Sequence, residues 1–283
     1  MENNSAYTLA EDLLVVNNVS VVYSNKAIIR NIGSPQIPFV IKDIQRANMQ
    51  QGQTVAVLGR SGRGKSTFFK VLSGIIKPTS GSIKIPDAYS KGNFRIVREG
   101  DVGFVQQNFP LSRNQSIFEM LQDAAIQGGI KSSEQKDIIE SHIQNWGLKD
   151  QRNFSPNQLS GGQKQRVAII EQLLCSHHFM VFDEPFSGLD VCNIEDVRDS
   201  FKKITSSHEI NTIIFSTHDI DLAVELADQI YIIGYEQNVN GQFEAGGTIV
   251  GYYDLKKLNL AWQNFGAEHK DLVDMIKKQF RIS

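Results

Sequence analysis

The 283-residue chain is short of cysteine, with only Cys175 and Cys192, and it has no surplus of either charge. Two scattered thiols make neither a disulfide framework nor a zinc motif, so both are expected to be reduced, as in a cytosolic protein. The 29 Lys and Arg nearly balance the 31 Asp and Glu, for a formal net charge of -2 and a pI of about 6.3. That balance gives no polybasic nucleic-acid surface, and no nucleic-acid partner is expected. Long apolar runs are missing too. None approaches the ~20 residues that cross a bilayer, so any work at a membrane is expected to need a partner that supplies the spanning part. The opening "MENNSAYTLAEDLLVV" lacks a charged-then-apolar signal pattern, which sets the expectation of a cytoplasmic chain.

Hydrophobic residues make up 41% of the chain, which at this length allows a sizeable core. Residues 12–23, "DLLVVNNVSVVY", predict a β-branched strand, and "NKAIIRNIGSPQIP" reads as a Gly/Pro-containing interruption. "FVIKDIQRANM" predicts a second strand and "TVAVLG" a strand covered on both faces. After Lys65, the residues Phe68, Val71, Leu72 and Ile75 recur at helical spacing, and "KPTSGSIKI" starts another strand. "SIFEMLQDAAIQ" and "SEQKDIIESHIQNWGL" carry helical periodicity with polar outer faces and predict a helical subdomain at about 108–165. "FMVFDEP" and "TIIFSTHD" are buried strands that end in polar residues. "DIDLAVELADQ" predicts a helix, "QIYIIG" a strand, "EQNVNGQFEAGGTIV" a hairpin and "KDLVDMIKKQF" a closing amphipathic helix. Strands alternating with helices imply an α/β core with a parallel sheet.

Between the strand "TVAVL" and the following helix, Gly59-Arg60-Ser61-Gly62-Arg63-Gly64-Lys65-Ser66 fits G-x-x-x-x-G-K-[ST], the phosphate loop. Its glycines let the backbone curl so that successive N–H groups point at phosphate oxygens. The helix N-terminus near Lys65 adds its partial positive charge. Lys65 is expected on the β- and γ-phosphates and the Ser66 hydroxyl on Mg²⁺. By itself the loop fits a kinase, a GTPase or an ATPase.

Three further stretches narrow the choice. "FMVFDEP" ends in Asp183-Glu184: the first carboxylate can hold Mg²⁺ through water and the second can polarise an attacking water. Alone, the pair would also fit a cap on the turn before Pro185. "LSGGQKQR" precedes a helix, and Ser160 with the N–H groups of Gly161 and Gly162 would form a second anion cradle, or an ordinary serine cap. "STHD" puts His218 at a strand end, where an imidazole can meet a γ-phosphate.

Together these residues resemble the ATP-binding cassette (ABC) ATPase family over about residues 12–235. The motifs stand in family order: phosphate loop 59–67 including Thr67, a Q-loop at Gln107, the signature 159–163 ending in Gln163, the magnesium strand 179–184, a D-loop Ser187-Gly188-Leu189-Asp190, and His218. The resemblance implies a phosphate-loop ATPase core with a mixed sheet, an antiparallel β subdomain and an inserted α-helical subdomain, followed by a hairpin and helix extension at 236–283. It implies Tyr23 stacked on adenine, Gln107 sensing Mg²⁺ and γ-phosphate, Asp190 at the nucleotide, and two cassettes closing head to tail over ATP. The wording "LSGGQKQRVAI" looks like an importer's cassette, and the C-terminal portion is similar to nitrate/sulfonate/taurine-type importer ATPases. Expected partners are a second cassette, a membrane-spanning permease subunit and a solute-binding protein, with the chain peripheral on the inner face of the membrane. A soluble ABC ATPase of the iron–sulfur assembly type, and a catalytically silent nucleotide-binding regulator, are the rival readings. Departures from the family are Arg63, which adds a phosphate contact or points to solvent, Gly188, and Glu171, which stands where the family has arginine.

Overall fold

The computed structural model describes residues 12–42, 52–87, 93–107, 109–112, 114–175, 178–187, 191–207, 211–261 and 263–281. The chain runs through β1 (Asp12–Tyr23), β2 (Lys26–Ile32), β3 (Phe39–Lys42), β4 (Gln53–Leu58), α1 (Lys65–Leu72), β5 (Ser80–Pro86), β6 (Phe94–Ile96) and β7 (Val102–Val105). It continues with α2 (Ile117–Gln127), α3 (Ser132–Asn145), α4 (Gly161–Cys175), β8 (Phe179–Phe182), α5 (Val191–Ser207) and β9 (Thr212–Thr217). The last elements are α6 (Ile220–Leu226), β10 (Gln229–Gly234), β11 (Thr248–Asp254) and α7 (Ala267–Arg281).

A six-stranded sheet has the order β11-β10-β4-β9-β8-β7. It is parallel from β10 to β7, and β11 joins it antiparallel. The second sheet, β2-β1-β5-β6 with β3 also on β1, is antiparallel throughout. The mixed sheet, the antiparallel β unit and the helices α2 and α3 give the α/β architecture expected from sequence.

Strand β4 shows how the layers divide. All six of its residues are buried. Val55 and Val57 enter the core shared with α1 and the antiparallel sheet. Ala56 and Leu58 enter the core shared with α2, α4 and α5. Period-2 alternation thus sends one strand's side chains into two cores, which is why its sequence is apolar without a break. In the helical unit, Ser116 and Glu119 form a reciprocal capping box that starts α2. Ile139, Ile143 and Trp146 bury the inner side of α3.

Several local expectations change. The segment read as an interruption contains β2, which pairs with β1 through the tight turn at Ser24 and Asn25. Both turn residues adopt positive φ, which asparagine tolerates better than most residues. Ile75, expected on the buried face of α1, is 45% exposed, because the helix stops at Leu72 and Gly74 turns the chain at φ 71°. The strand at 39–49 is described only as far as Lys42, and its remainder lies outside the described residues. The closing amphipathic helix expected at the C-terminal end is α7, which buries Leu272, Val273 and Ile276, and β11 pairs along the whole of β10. No helix among the described residues is long and apolar enough to cross a membrane.

Candidate active site

The loop from Gly59 to Gly64 leaves the C-terminal end of β4 and delivers the chain into α1. Gly62 and Gly64 take φ of 80° and 92°, backbone that only glycine enters readily. At Gly64 the need is also steric: a Cβ would stand 2.5 Å from Ile29 Cγ2 and 2.9 Å from the Ile28 carbonyl oxygen. No side chain caps the first-turn N–H groups of α1. They border a cleft of about 760 Å³, lined by Ser61, Gly62, Gly64, Lys65, Ser66 and Thr67. Gln107, Glu184, Ser187 and His218 line it from the ends of other strands, and Ile28 and Phe280 supply apolar wall. The sheet therefore gathers residues from all along the chain at one carboxyl edge, the place where open α/β sheets bind ligands.

A charged array occupies the mouth. Lys65 is 6% exposed, and its Nζ donates to the Gly59 carbonyl oxygen at 2.6 Å and lies 3.0 Å from Glu184 Oε1. The other carboxylate oxygen of Glu184 is 3.1 Å from His218 Nδ1. Behind them, the Ser216 hydroxyl donates to Asp183 Oδ1 at 2.8 Å and accepts from the Glu184 N–H at 2.8 Å. That hydroxyl ties both members of the carboxylate pair to β9. It also holds Glu184 at φ 50°, a left-handed conformation of the kind found where surrounding structure overrides local preference. Instead of capping the turn before Pro185, the Glu184 carboxylate faces Lys65 and His218. Ser66, Gln107 and Glu184 line the same cleft with oxygen-bearing side chains, the ligand chemistry a hard divalent cation takes, whereas Asp183 is not among the lining residues.

The other sequence-predicted residues lie apart from this array. Ser160 and Gln163 cap α4 reciprocally: the Ser160 N–H donates to Gln163 Oε1 at 2.9 Å, and the Gln163 N–H donates to Ser160 Oγ at 3.3 Å. Ser160, Gly161, Gly162 and Gln163 do not line the cleft. Tyr23 ends β1 with 48% of its surface exposed and is also not a lining residue. Asp190 lies outside the described residues. Arg63 stacks on the Tyr235 ring, 3.7 Å from its centroid. The sequence motifs assign no role to Ser216, Ile28 or Phe280. A serine in an apolar strand, an isoleucine and a phenylalanine in a helix carry no local signal that they meet a phosphate loop.

Residues 43–187 match the family model for the ABC transporter. The chain is 32% identical over 226 residues to the bicarbonate transport ATP-binding protein CmpD of Synechococcus elongatus, covering 79% of this chain and 76% of that one. It is 33% identical over 204 residues to the nitrate import ATP-binding protein NrtD of the same species, covering 71% and 72%. In fold it matches cbiO1 of Clostridium perfringens, described as part of the ABC transporter complex cbiONQ, with a TM-score of 0.65 at 24% identity over 89% and 92% of the two chains. With the phosphate loop, the signature sequence and the Asp183-Glu184 strand in one fold, the chain belongs to the ABC transporter family as an ATP-binding subunit, and it is an ATPase.

Proposed function

We propose that this subunit drives solute transport by opening and closing a pair of cassettes. The cassette spans 12–235, with its helical unit at about 108–165 and the extension at 236–283. ATP lies with its phosphates in the glycine loop, gripped by Lys65, Ser61, Ser66, Thr67 and the amides of Gly59, Gly62 and Gly64. Tyr23 lies beside the base. Glu184 orients and deprotonates the attacking water, and His218 holds Glu184 and meets the terminal phosphate. Ser66, Gln107 and Asp183 would hold Mg²⁺, which when bound neutralises charge on the phosphate oxygens. The signature residues Ser160, Gly161, Gly162 and Gln163, with Asp190, cover the ATP of a second cassette.

One observation carries this reading: Lys65, Glu184 and His218 form a continuous contact chain at the mouth of the phosphate loop, while the Ser160 cradle stands apart from it. One chain with two separate anion cradles makes sense when each serves a different ATP. Closure then follows from contacts that only the ATP-bound pair makes. The name of one relative, a nitrate import ATP-binding protein, supports import; a membrane-spanning permease, a solute-binding protein and a place on the inner face of the membrane complete the reading.

The test is Glu184→Gln. Hydrolysis should slow by roughly 10²–10⁴-fold, the range for loss of a general base. With ATP and Mg²⁺ the variant should elute from size exclusion as a dimer, and without nucleotide as a monomer. A variant that turns over normally, or never dimerises when saturated with ATP, refutes the proposal.

A further inference from the structure

We infer that the C-terminal helix is a working wall of the ATP cleft: Phe280 closes the cleft on the His218 side and ties nucleotide occupancy to the position of α7. The inference rests on the reading of this cleft as the ATP site. The helix is amphipathic, and Leu272, Val273 and Ile276 bury its inner side completely enough to explain ordinary packing. Phe280 continues the same stripe four residues beyond Ile276, yet it is only half-buried, and its ring borders the cleft that holds Lys65 and Ser66.

The end of α7 is held at this place from two sides. Lys277 Nζ lies 3.2 Å from Asp221, three residues after His218 in the chain, so the following turn of α7 stands at the His218 end of the cleft. On the other side, Gln279 is clamped to β11. Its Oε1 accepts from the Tyr253 hydroxyl at 2.7 Å, and its Nε2 donates to the Val250 carbonyl oxygen at 2.7 Å. Gly251 makes the close approach possible, since a Cβ there would lie 2.6 Å from Gln279 Nε2. The helix start is anchored as well: the Gly266 N–H donates to Nδ1 of the buried His269, whose Nε2 is 3.0 Å from the Leu260 carbonyl oxygen. A helix pinned at both ends places its last aromatic ring reproducibly.

The chemistry follows from that placement. Lys65, Glu184 and His218 act through charge, and charge contacts strengthen when water is excluded. An apolar ring at their edge removes water without competing for the phosphates. Phe280 is thus a positioning residue for hydrolysis, and the same contact lets α7 register whether the cleft is filled.

The experiment uses the full chain and ATP with Mg²⁺, and equilibrium dialysis first establishes nucleotide binding. The emission of Phe280→Trp should change when ATP is added, beyond any change in the wild type, which already has two tryptophans. At saturating ATP, Phe280→Ala should lower kcat roughly 3–30-fold, less than the 10²–10³-fold lost with a direct oxyanion donor. Phe280→Leu should restore most of the loss, and if Phe280→Ala does not fold, the Leu and Trp variants carry the test. Bound ATP with no emission change in Phe280→Trp, or unaltered kcat in Phe280→Ala, overturns the inference and leaves the ATP site standing. A wild-type chain that binds no ATP overturns both.

Discussion

Glu171 offers a sharp test of the electrostatics. It projects from α4 into a cleft of about 250 Å³ facing α2, with Asp123 and Cys175 among its neighbours. No ion pair among the described residues compensates its charge. Burial raises its carboxyl from 4.5 to about 7, and burial followed by the Glu171 charge raises the Cys175 thiol to about 11. A raised carboxyl pKa means that the folded chain keeps a proton the unfolded chain has already released. Below pH 4.5 both states are protonated and nothing is lost. As pH climbs from there to about 7, stability falls, and above that the full penalty is in place. The slope is at most ~1.4 kcal/mol per pH unit, which over this window amounts to about 3 kcal/mol. Because the side chain is only partly buried, solvent screening reduces this to roughly 1–2 kcal/mol. Glu171→Gln keeps the shape and removes the charge. At about 2–4 °C per kcal/mol, its Tm advantage over wild type should grow by roughly 2–8 °C between pH 5 and pH 8. Thermal unfolding of both proteins across that range is the assay. An advantage of the same size at both pH values would refute the argument that a desolvated carboxylate is the cause.

Two further outcomes follow from the phosphate loop. Lys65→Ala removes a charge-assisted contact worth roughly 1.5–3 kcal/mol, so ATP affinity measured by calorimetry should drop by about ten- to a hundred-fold; unchanged affinity would count against the site. Gly64→Ala forces a Cβ into Ile29 at φ 92°, so nucleotide binding should be lost while far-UV circular dichroism stays native; normal binding would mean that the loop relaxes freely.

Much of the machinery was legible because it is local. The spacing from Gly59 to Ser66 encodes a curled loop whatever surrounds it, and "LSGGQ" encodes a helix start, at which Ser160 and Gln163 exchange hydrogen bonds. The long strand β1 and the helices α2 and α3 announced themselves through β-branched enrichment and periodicity. Harder to read were β7 and α5, which no sequence signal singled out, and β2, whose Gly/Pro flanks disguised a strand held by pairing with β1. The helical spacing that includes Ile75 misleads because apolar residues recur beyond the end of α1 at Leu72 and the turn at Gly74.

From the order of residues alone came the phosphate loop, the carboxylate pair after β8, the histidine after β9, the charge balance and the absence of a long apolar span. Each of these depends on neighbours in the chain, where bond geometry and side-chain chemistry act directly. Only the tertiary structure decided that Glu184 bridges Lys65 and His218, that Ser216 ties the carboxylate pair to β9, that Glu171 is desolvated, and that Phe280 reaches the cleft from the far end of the chain. Those facts depend on which strands pair and how closely layers pack. Such contacts join residues tens to hundreds of positions apart, and burial then sets the strength of every charge they bring together.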